Sequence, residues 1–174
     1  RWGLRRIGLA LSAVALLTAA VVFAAAPLSP IGDIEVLASP TCKAQNVTVL
    51  MSQAVPSATA VPCISSLPAG WEFGGATVRD GWARFWLDSD RGGERAITVT
   101  LTRTCNTSSA LAVATDEPAA ERLDDAEAAE NGGSGADRFY RFGGGCVSHD
   151  YSFAGDSELT GAAETALGFL PRAR

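Results

Sequence analysis

Hydrophobic and polar residues alternate most regularly between residues 96 and 102, where the sequence reads AITVTLT. Ile97, Val99 and Leu101 fall on one side of an extended chain and three threonines on the other, because successive strand side chains point to opposite faces. The aromatic segment WARFWLD, residues 82–88, alternates in the same way. The intervening SDRGGE contains glycines that favour a turn, so the pattern predicts an antiparallel hairpin.

Shorter apolar segments predict further strands, which we expect at residues 45–51, 76–78, 139–142 and 147–153. Gly143, Gly144 and Gly145 lie between the last two of these strands and can supply the positive φ angles of a turn. The segment 52–68 is rich in Ser, Ala and Pro and contains Cys63. We therefore expect it to be a loop held by a disulfide bond.

The segment 106–137 is acidic and rich in alanine. Asp116 is a candidate helix N-cap, and Asn131-Gly132 is a suitable helix end. Leu123 is the one strongly apolar residue of the predicted helix, and a helix without an apolar stripe is marginal. We therefore expect a polar, mobile insert.

The segment 156–170 predicts a short amphipathic helix that starts at Asp156 or Ser157. Its apolar residues fall on one helical face: Leu159, Ala163, Ala166, Leu167 and Leu170. Strands, a polar insert, more strands and a closing helix together predict an α+β domain with an antiparallel sheet.

A run of twenty uncharged, mainly apolar residues covers positions 7–26. As a helix it would be roughly 30 Å long, which is enough to cross the hydrocarbon core of a bilayer. Arg1, Arg5 and Arg6 precede it, so the positive-inside rule predicts a cytoplasmic N-terminus. The alternative is a cleaved signal peptide ending in the small residues at 24–26, although Pro27 would obstruct a cut directly before it.

These features divide the chain into three parts. We expect residues 1–28 to be a single-pass membrane anchor or signal peptide, residues 29–41 a Pro-rich stalk, and residues 42–170 an extracytoplasmic domain. Both interpretations of the N-terminal segment place this domain outside the cytoplasm.

Four cysteines, Cys42, Cys63, Cys105 and Cys146, occur in the part of the chain predicted to be exported. An even number in that setting predicts disulfide bonds, and four cysteines allow three pairings. We favour Cys42–Cys63 and Cys105–Cys146, which close the shortest loops. No C-x-x-C pair is present, so zinc binding and a redox-active thiol are disfavoured, and we expect no metal or cofactor.

The exported part is acidic, with eleven basic residues after Ser29 against nineteen acidic ones, a net charge of −8. Such a surface repels phosphate backbones, which argues against nucleic acid as a partner. It also argues against docking on anionic lipids through a basic patch. The remaining partner classes are the membrane, through the N-terminal helix, and a protein or glycan of the cell envelope.

The tripeptide Ser148-His149-Asp150 resembles a catalytic triad in composition only. Neighbouring residues of a strand point to opposite faces, and a triad arises from groups that converge in space. The nearby FGGGC lacks the lysine of a phosphate-binding loop. We interpret this region as a turn with a structural disulfide, and we predict no catalytic residue.

Two further sets of side chains are candidates for a binding or catalytic role. Trp71, Trp82 and Trp86 could form a carbohydrate platform, and Trp82, Arg84 and Trp86 share one strand face. Core burial of at least one of the three tryptophans competes with this interpretation and is favoured. Carboxylates in an unrecognised arrangement could make the protein an envelope hydrolase. The carboxylates of the DSDRGGE turn, residues 88–94, could instead bind calcium weakly. Their spacing departs from that of an EF-hand, so we favour a solvated turn.

The sequences LPAGW at 67–71, DSDRGGERA at 88–96 and GGCV at 144–147 resemble membrane-anchored actinobacterial proteins for which no activity is established. The resemblance implies a single-pass anchor and assigns no functional residue. We expect a non-catalytic accessory or binding domain at the cell envelope.

Overall fold

The computed structural model describes residues 34–43, 46–117, 120–126, 138–153 and 156–172. The predicted anchor and the first part of the predicted stalk, residues 1–33, lie outside the described residues. Within those described ranges, no helix has the length and apolar character needed to span a membrane.

The described residues form ten strands and two helices. The strands are β1 Ile34–Val36, β2 Ala60–Ile64, β3 Trp71–Arg79, β4 Trp82–Ser89, β5 Gly93–Thr102, β6 Ala110–Val113, β7 Glu121–Asp125, β8 Arg138–Phe142, β9 Gly145–Tyr151 and β10 Leu167–Pro171. The helices are α1 Asn46–Ala54 and α2 Ser157–Ala166. Eight strands form one antiparallel sheet in the order β1-β3-β4-β5-β9-β8-β7-β6, and β10 pairs with β2 in a second sheet. The prediction of an α+β domain with an antiparallel sheet is confirmed.

The β4–β5 hairpin lies in the interior of the large sheet and confirms the strongest sequence pattern. Phe85 pairs with Val99, and both side chains are fully buried. Trp86 and Thr98, one position along each strand, are only half-buried. Alternation therefore gives the sheet an inward face packed into the core and an outward face, which carries Trp82, Trp86 and the threonines of β5.

The inward face is covered by the remaining elements. Val47 and Met51 of α1, Val61 of β2, and Leu159 and Ala163 of α2 belong to the same buried cluster as the inward residues of β4 and β5. Burial of apolar area on this one side is the main stabilising contribution, at about 25 cal/mol per Å². The outward face of β3, β4 and β5 has no comparable layer among the described elements.

The prediction of a strand at residues 45–51 is wrong, because α1 begins at Asn46. Val47, Met51 and Ala54 are buried, which matches helical spacing, and Val49 is exposed. The β-branched residues gave this segment strand propensity, but packing on the sheet outweighs that preference.

The prediction of a helix in the insert at residues 106–137 is wrong for its described part. β6 and β7 form an antiparallel pair that extends the large sheet, and Asp116 lies in the bend between them rather than at a helix N-terminus. Arg141 of β8 donates hydrogen bonds to Glu121 of β7 at 2.6 and 3.0 Å. This cross-strand ion pair adds a small contribution to the backbone pairing of β7 with β8. The predicted helix end at Asn131-Gly132 lies outside the described residues.

The C-terminal helix is shorter than predicted. Asp156 caps α2 by accepting hydrogen bonds from the backbone N–H groups of Glu158 and Leu159, as expected. The helix ends at Ala166, and Leu167 and Leu170 lie in β10, which pairs with β2. The expected loop at residues 52–68 accordingly contains a buried strand, since β2 gains its backbone partners from β10.

The predicted stalk joins the fold from Ile34 onwards. β1 pairs with β3 along its whole length, and the backbone N–H of Ile64 donates to the carbonyl of Pro40. Residues 34–41 are therefore part of the domain and are not a free connector.

Both disulfide pairings are confirmed. Cys42 bonds Cys63, and Cys105 bonds Cys146. The second bond fastens the chain after β5 to β9, which lies between β5 and the β8-β7-β6 half of the sheet. It therefore holds the start of the long connection from β5 to the edge strand β6.

Candidate functional site

The outward face of β4 brings together the three residues predicted as a binding platform. Trp82 and Trp86 are half-buried and Arg84 is exposed. The Arg84 guanidinium lies 5.0 Å from the centre of the Trp82 ring, which is a cation–π contact. The competing expectation, core burial of at least one of the three tryptophans, is confirmed for Trp71, which belongs to the core cluster, whereas Trp82 and Trp86 are not buried. However, the ring of Trp82 is partly covered by an arginine of its own strand.

Trp86 lies against the glycine backbone of the neighbouring strand. A Cβ atom on Gly74 or Gly75 would come within 2.5 Å of the Trp86 ring, so only glycine leaves room for the indole there. The β3–β4 register also shifts between Phe73 and Gly75, which marks a β-bulge. The two glycines thus let a large side chain lie flat on the outward face.

Arg95 supplies the second cation–π contact of this face. Its guanidinium lies 4.7 Å from the centre of the Trp86 ring. Its backbone has φ of 51°, in the left-handed region that non-glycine residues rarely adopt. The backbone N–H of Arg95 donates to Asp88 Oδ1 at 2.6 Å, next to a register shift in the β4–β5 pairing. A bulge therefore directs this arginine towards the indole.

A cleft of about 710 Å³ opens beside this Trp86–Arg95 pair. Its wall combines aromatic, acidic and basic side chains with glycine backbone: Gly70, Trp71, Glu72, Trp86, Asp88, Ser89, Asp90, Gly93, Glu94 and Arg95. It lies where the start of β3 meets the β4–β5 turn. We define this group of residues as the Trp86 cleft. Arg84 and Trp82 lie further along β4 and do not line it.

The carboxylates of the cleft are the groups that acid catalysis or calcium binding would require. Within the described part of the chain, no three His, Cys, Asp or Glu side chains are grouped closely enough to hold a metal ion. Glu72, Asp90 and Glu94 are exposed to solvent, whereas the general acid of a glycoside hydrolase is held in apolar surroundings. The geometry of the cleft therefore suits binding better than acid catalysis.

We expect Arg95→Gly to be more stable than Arg95→Ala by about 1 kcal/mol. Both variants lose the contact with Trp86, but only glycine adopts a φ of 51° without strain. Urea unfolding of the two variants measures the difference. Equal stability would show that the left-handed backbone at residue 95 carries no strain.

His149 does not form a triad with its neighbours. It is 2% exposed on the inward face of β9, whereas Ser148 and Asp150 pair with Thr100 and Thr98 on outward rows of the sheet. The sequence-based rejection of a Ser-His-Asp triad is thus consistent with the observed alternation. Burial, with the positive charges of Arg138 and Arg122, lowers the pKa of His149 to about 3.

A partly buried ionic network lies beside this histidine, whose pKa it affects. Arg138 Nε donates to Asp124 at 3.1 Å, Arg122 bonds the same carboxylate, and Arg138 also forms an ion pair with Glu164 of α2. Burial raises the pKa of Asp124, but the hydrogen bond from Arg122 and the charge of Arg138 outweigh it and lower that pKa. The network links β7 and β8 to α2, and we assign it a structural role.

His149 should make the domain sensitive to mild acid. Its pKa falls on folding, so the unfolded chain binds a proton between pH 6.5 and about 3 while the folded chain does not. The contribution of His149 to the free energy of unfolding is therefore fully present above pH 6.5, and it is lost progressively as the pH is lowered below that value. We expect the free energy of unfolding to be about 2 kcal/mol lower at about pH 5 than at pH 7.

His149→Phe is the matched variant for this prediction, because it keeps an aromatic ring against Tyr140 and removes the titrating group. Urea unfolding at both pH values should show a much smaller difference for the variant. An unchanged difference would assign the acid sensitivity to other groups.

The FGGGC segment is a tight turn that packs on the loop before β2. Gly144 has φ of 66°, and a Cβ there would overlap the Ser57 carbonyl. Ser57 Oγ also donates to the Gly144 carbonyl at 2.6 Å. Cys146 follows in β9 and is bonded to Cys105, so this segment supplies no reactive thiol. The interpretation as a turn with a structural disulfide is confirmed.

Comparison with known protein families, with curated proteins and with solved structures finds no match to this chain. The site must therefore be interpreted from its own geometry. Sequence reasoning identified Trp86 and the acidic turn separately, but it did not place Glu72 or Arg95 beside them. The glycine pair Gly74-Gly75 opposite a tryptophan is the signal that could have indicated the cleft.

Proposed function

We propose that this chain is a non-catalytic binding domain at the cell envelope, attached to the membrane through residues 1–28, and that it binds a partner protein. The observation that carries the proposal is the outward face of β3, β4 and β5, which no other described helix or strand covers. The opposite face is packed under α1, α2 and the small sheet. Half-buried Trp82 and Trp86 on a face that remains exposed are typical of protein interfaces.

The location follows from the cysteines and the N-terminal segment. Two disulfide bonds favour an oxidising compartment. The apolar run at residues 7–26 supports export and anchoring. An acidic exported domain supports a protein or glycan partner in preference to nucleic acid.

A non-catalytic role is supported by where the reactive groups lie. His149 is enclosed in the core, and each of the four cysteines is in a disulfide bond. Among the described residues, an envelope hydrolase would use the carboxylates that line the Trp86 cleft, and Glu72, Asp90 and Glu94 of this group are exposed to solvent. Unchanged cell-wall glycan after incubation with the purified chain would agree with the binding role.

A carbohydrate-binding role is the second candidate, and the shared orientation of Trp82 and Trp86 on β4 favours it. Sugar rings stack on free indole faces. Here Arg84 and Arg95 each lie over one of the two rings, which leaves less free aromatic surface for a sugar. We therefore rank a protein partner first.

Site-specific photo-crosslinking in cells that make the chain tests the proposal. A photoreactive residue at position 84 lies on the outward face, whereas one at Val49 lies on the exposed side of α1. We expect a discrete protein adduct from position 84 and none from position 49. Adducts of equal yield from both positions, or none from position 84, would contradict the proposal.

A further inference from the structure

We infer that the free edge of strand β6 pairs with β6 of a second copy of this chain, so that the large sheets of two molecules join in a weak dimer. β6 ends the large sheet on one side, and no strand among the described residues pairs with its free edge. The inference goes beyond the proposed function, because it does not involve the outward face of β3, β4 and β5.

The backbone groups of β6 divide between its two sides. The N–H of Ala126 donates to the carbonyl of Ser109, so these two residues form a hydrogen-bonded pair. Hydrogen-bonded and non-hydrogen-bonded pairs alternate along an antiparallel ladder. Leu111 and Val113 therefore bond to β7, and Ala112 directs its N–H and C=O groups towards the free edge. Unpaired groups of this kind are a template for another strand.

The edge of β6 lacks the features that keep strand edges apart. Its four residues include no proline and no charged side chain, and its pairing with β7 has no register shift. Leu111 and Val113 lie on one face of the strand and are 53% and 38% exposed. A second strand at this edge would cover part of both side chains, which adds apolar burial to the backbone hydrogen bonds.

The charge around β6 favours a second copy as the occupant. Residues 104–115 contain no charged side chain, whereas the chain after Ser29 has nineteen acidic residues against eleven basic ones. Two identical acidic surfaces repel each other, and this repulsion is smallest where the surface is neutral. The opposite edge strand, β1, has Glu35 at its middle, so self-pairing there would place like charges opposite each other.

A two-fold axis relates the two copies in this arrangement. Ala112 of each copy forms a hydrogen-bonded pair with Ala112 of the other, and Leu111 lies opposite Val113 of the other copy. The pairing occupies the β6 edges of both copies, so it closes at two chains. An edge of four residues buries little area, so we expect a reversible dimer of low affinity.

Sedimentation equilibrium and hydrogen exchange of the full oxidised chain in detergent test the inference. We expect a monomer–dimer equilibrium, and slower exchange of the Ala112 N–H as the chain concentration rises. Ala112→Pro removes this N–H without removing a bond to β7, and proline is tolerated on edge strands. It should raise the dissociation constant of the dimer at least about tenfold, because both hydrogen bonds donated by the Ala112 pair are lost.

Ala112→Thr is the matched control, because it keeps the N–H and introduces a residue that is suited to strands. Its dissociation constant should stay within about threefold of that of the unchanged chain. Urea unfolding of both variants checks that the fold is kept.

Equal dissociation constants for the proline and threonine variants would overturn the inference, because the copies would then associate through another surface. A chain that stays monomeric at every concentration would also overturn it. Protection of the Ala112 N–H in such a monomer would assign the edge to another segment of the same chain. The photo-crosslinking from position 84 is independent of β6, so either proposal can fail without the other.

Discussion

Replacing Phe85 with alanine is expected to lower the free energy of unfolding by about 4 kcal/mol. The Phe85 ring is fully buried in β4, in the interior of the large sheet, between Ala76 of β3 and Val99 of β5. Its removal loses buried apolar area and leaves a cavity that the surrounding regular strands can only partly fill. Urea unfolding of the oxidised chain at neutral pH measures the loss.

Phe85→Leu is the matched control. It retains most of the apolar volume, and we expect it to cost about 1 kcal/mol. A loss below about 1 kcal/mol for Phe85→Ala would show that the inward face of β4 is not the centre of the core.

Removing the Cys105–Cys146 bond with the double variant Cys105→Ala and Cys146→Ala is expected to cost about 4 kcal/mol. The bond joins residues 41 positions apart and fastens the chain after β5 to β9. Without it the unfolded chain gains conformational freedom, and the long connection to β6 loses its attachment to the sheet. The measurement is the free energy of unfolding in the absence of reductant.

The loss of the Cys42–Cys63 bond provides the comparison for this free energy of unfolding. Cys42–Cys63 spans 21 positions, so the corresponding double variant should lose about half a kcal/mol less. Equal or greater loss for the shorter loop would contradict the chain-entropy explanation and would indicate that the Cys42–Cys63 bond mainly holds native packing around β2.

The β4–β5 hairpin was predictable because local and tertiary preferences agree there. β-branched residues favour strands, strict alternation matches a sheet with one buried face, and the turn contains two glycines. The structure accordingly has Ile97, Val99 and Leu101 fully buried and Thr98 and Thr100 half-buried. The disulfide pairing followed from the same layout, since Cys105 follows β5 and Cys146 lies in the strand beside it.

The errors lie where tertiary contacts outweigh local propensity. Residues 46–54 contain β-branched residues and yet form a helix, because Val47 and Met51 bury one helical side against the sheet. The acidic, alanine-rich part around Leu123 forms a strand, because β8 offers arginines opposite its carboxylates. These partners are distant in sequence, so no local pattern could reveal them.

The candidate site was predictable only in part. Strand parity correctly placed Trp82, Arg84 and Trp86 on one face. The cleft also needs Glu72 from the start of β3 and the left-handed Arg95, which a β-bulge turns towards Trp86. Bulges shift the register by one residue, so the alternation rule fails at the point where the cleft forms.

Hydroxyl-radical oxidation of the tryptophans tests most directly whether the outward face of β3, β4 and β5 binds a partner. The chain is oxidised in native membranes and after purification, and modification is read by mass spectrometry. Tyr140, which is 8% exposed and belongs to the core cluster, is the internal reference. We predict protection of Trp82 and Trp86 in membranes relative to the purified chain, with Tyr140 unchanged. Equal oxidation of Trp82 and Trp86 in both preparations would contradict a binding role for this face.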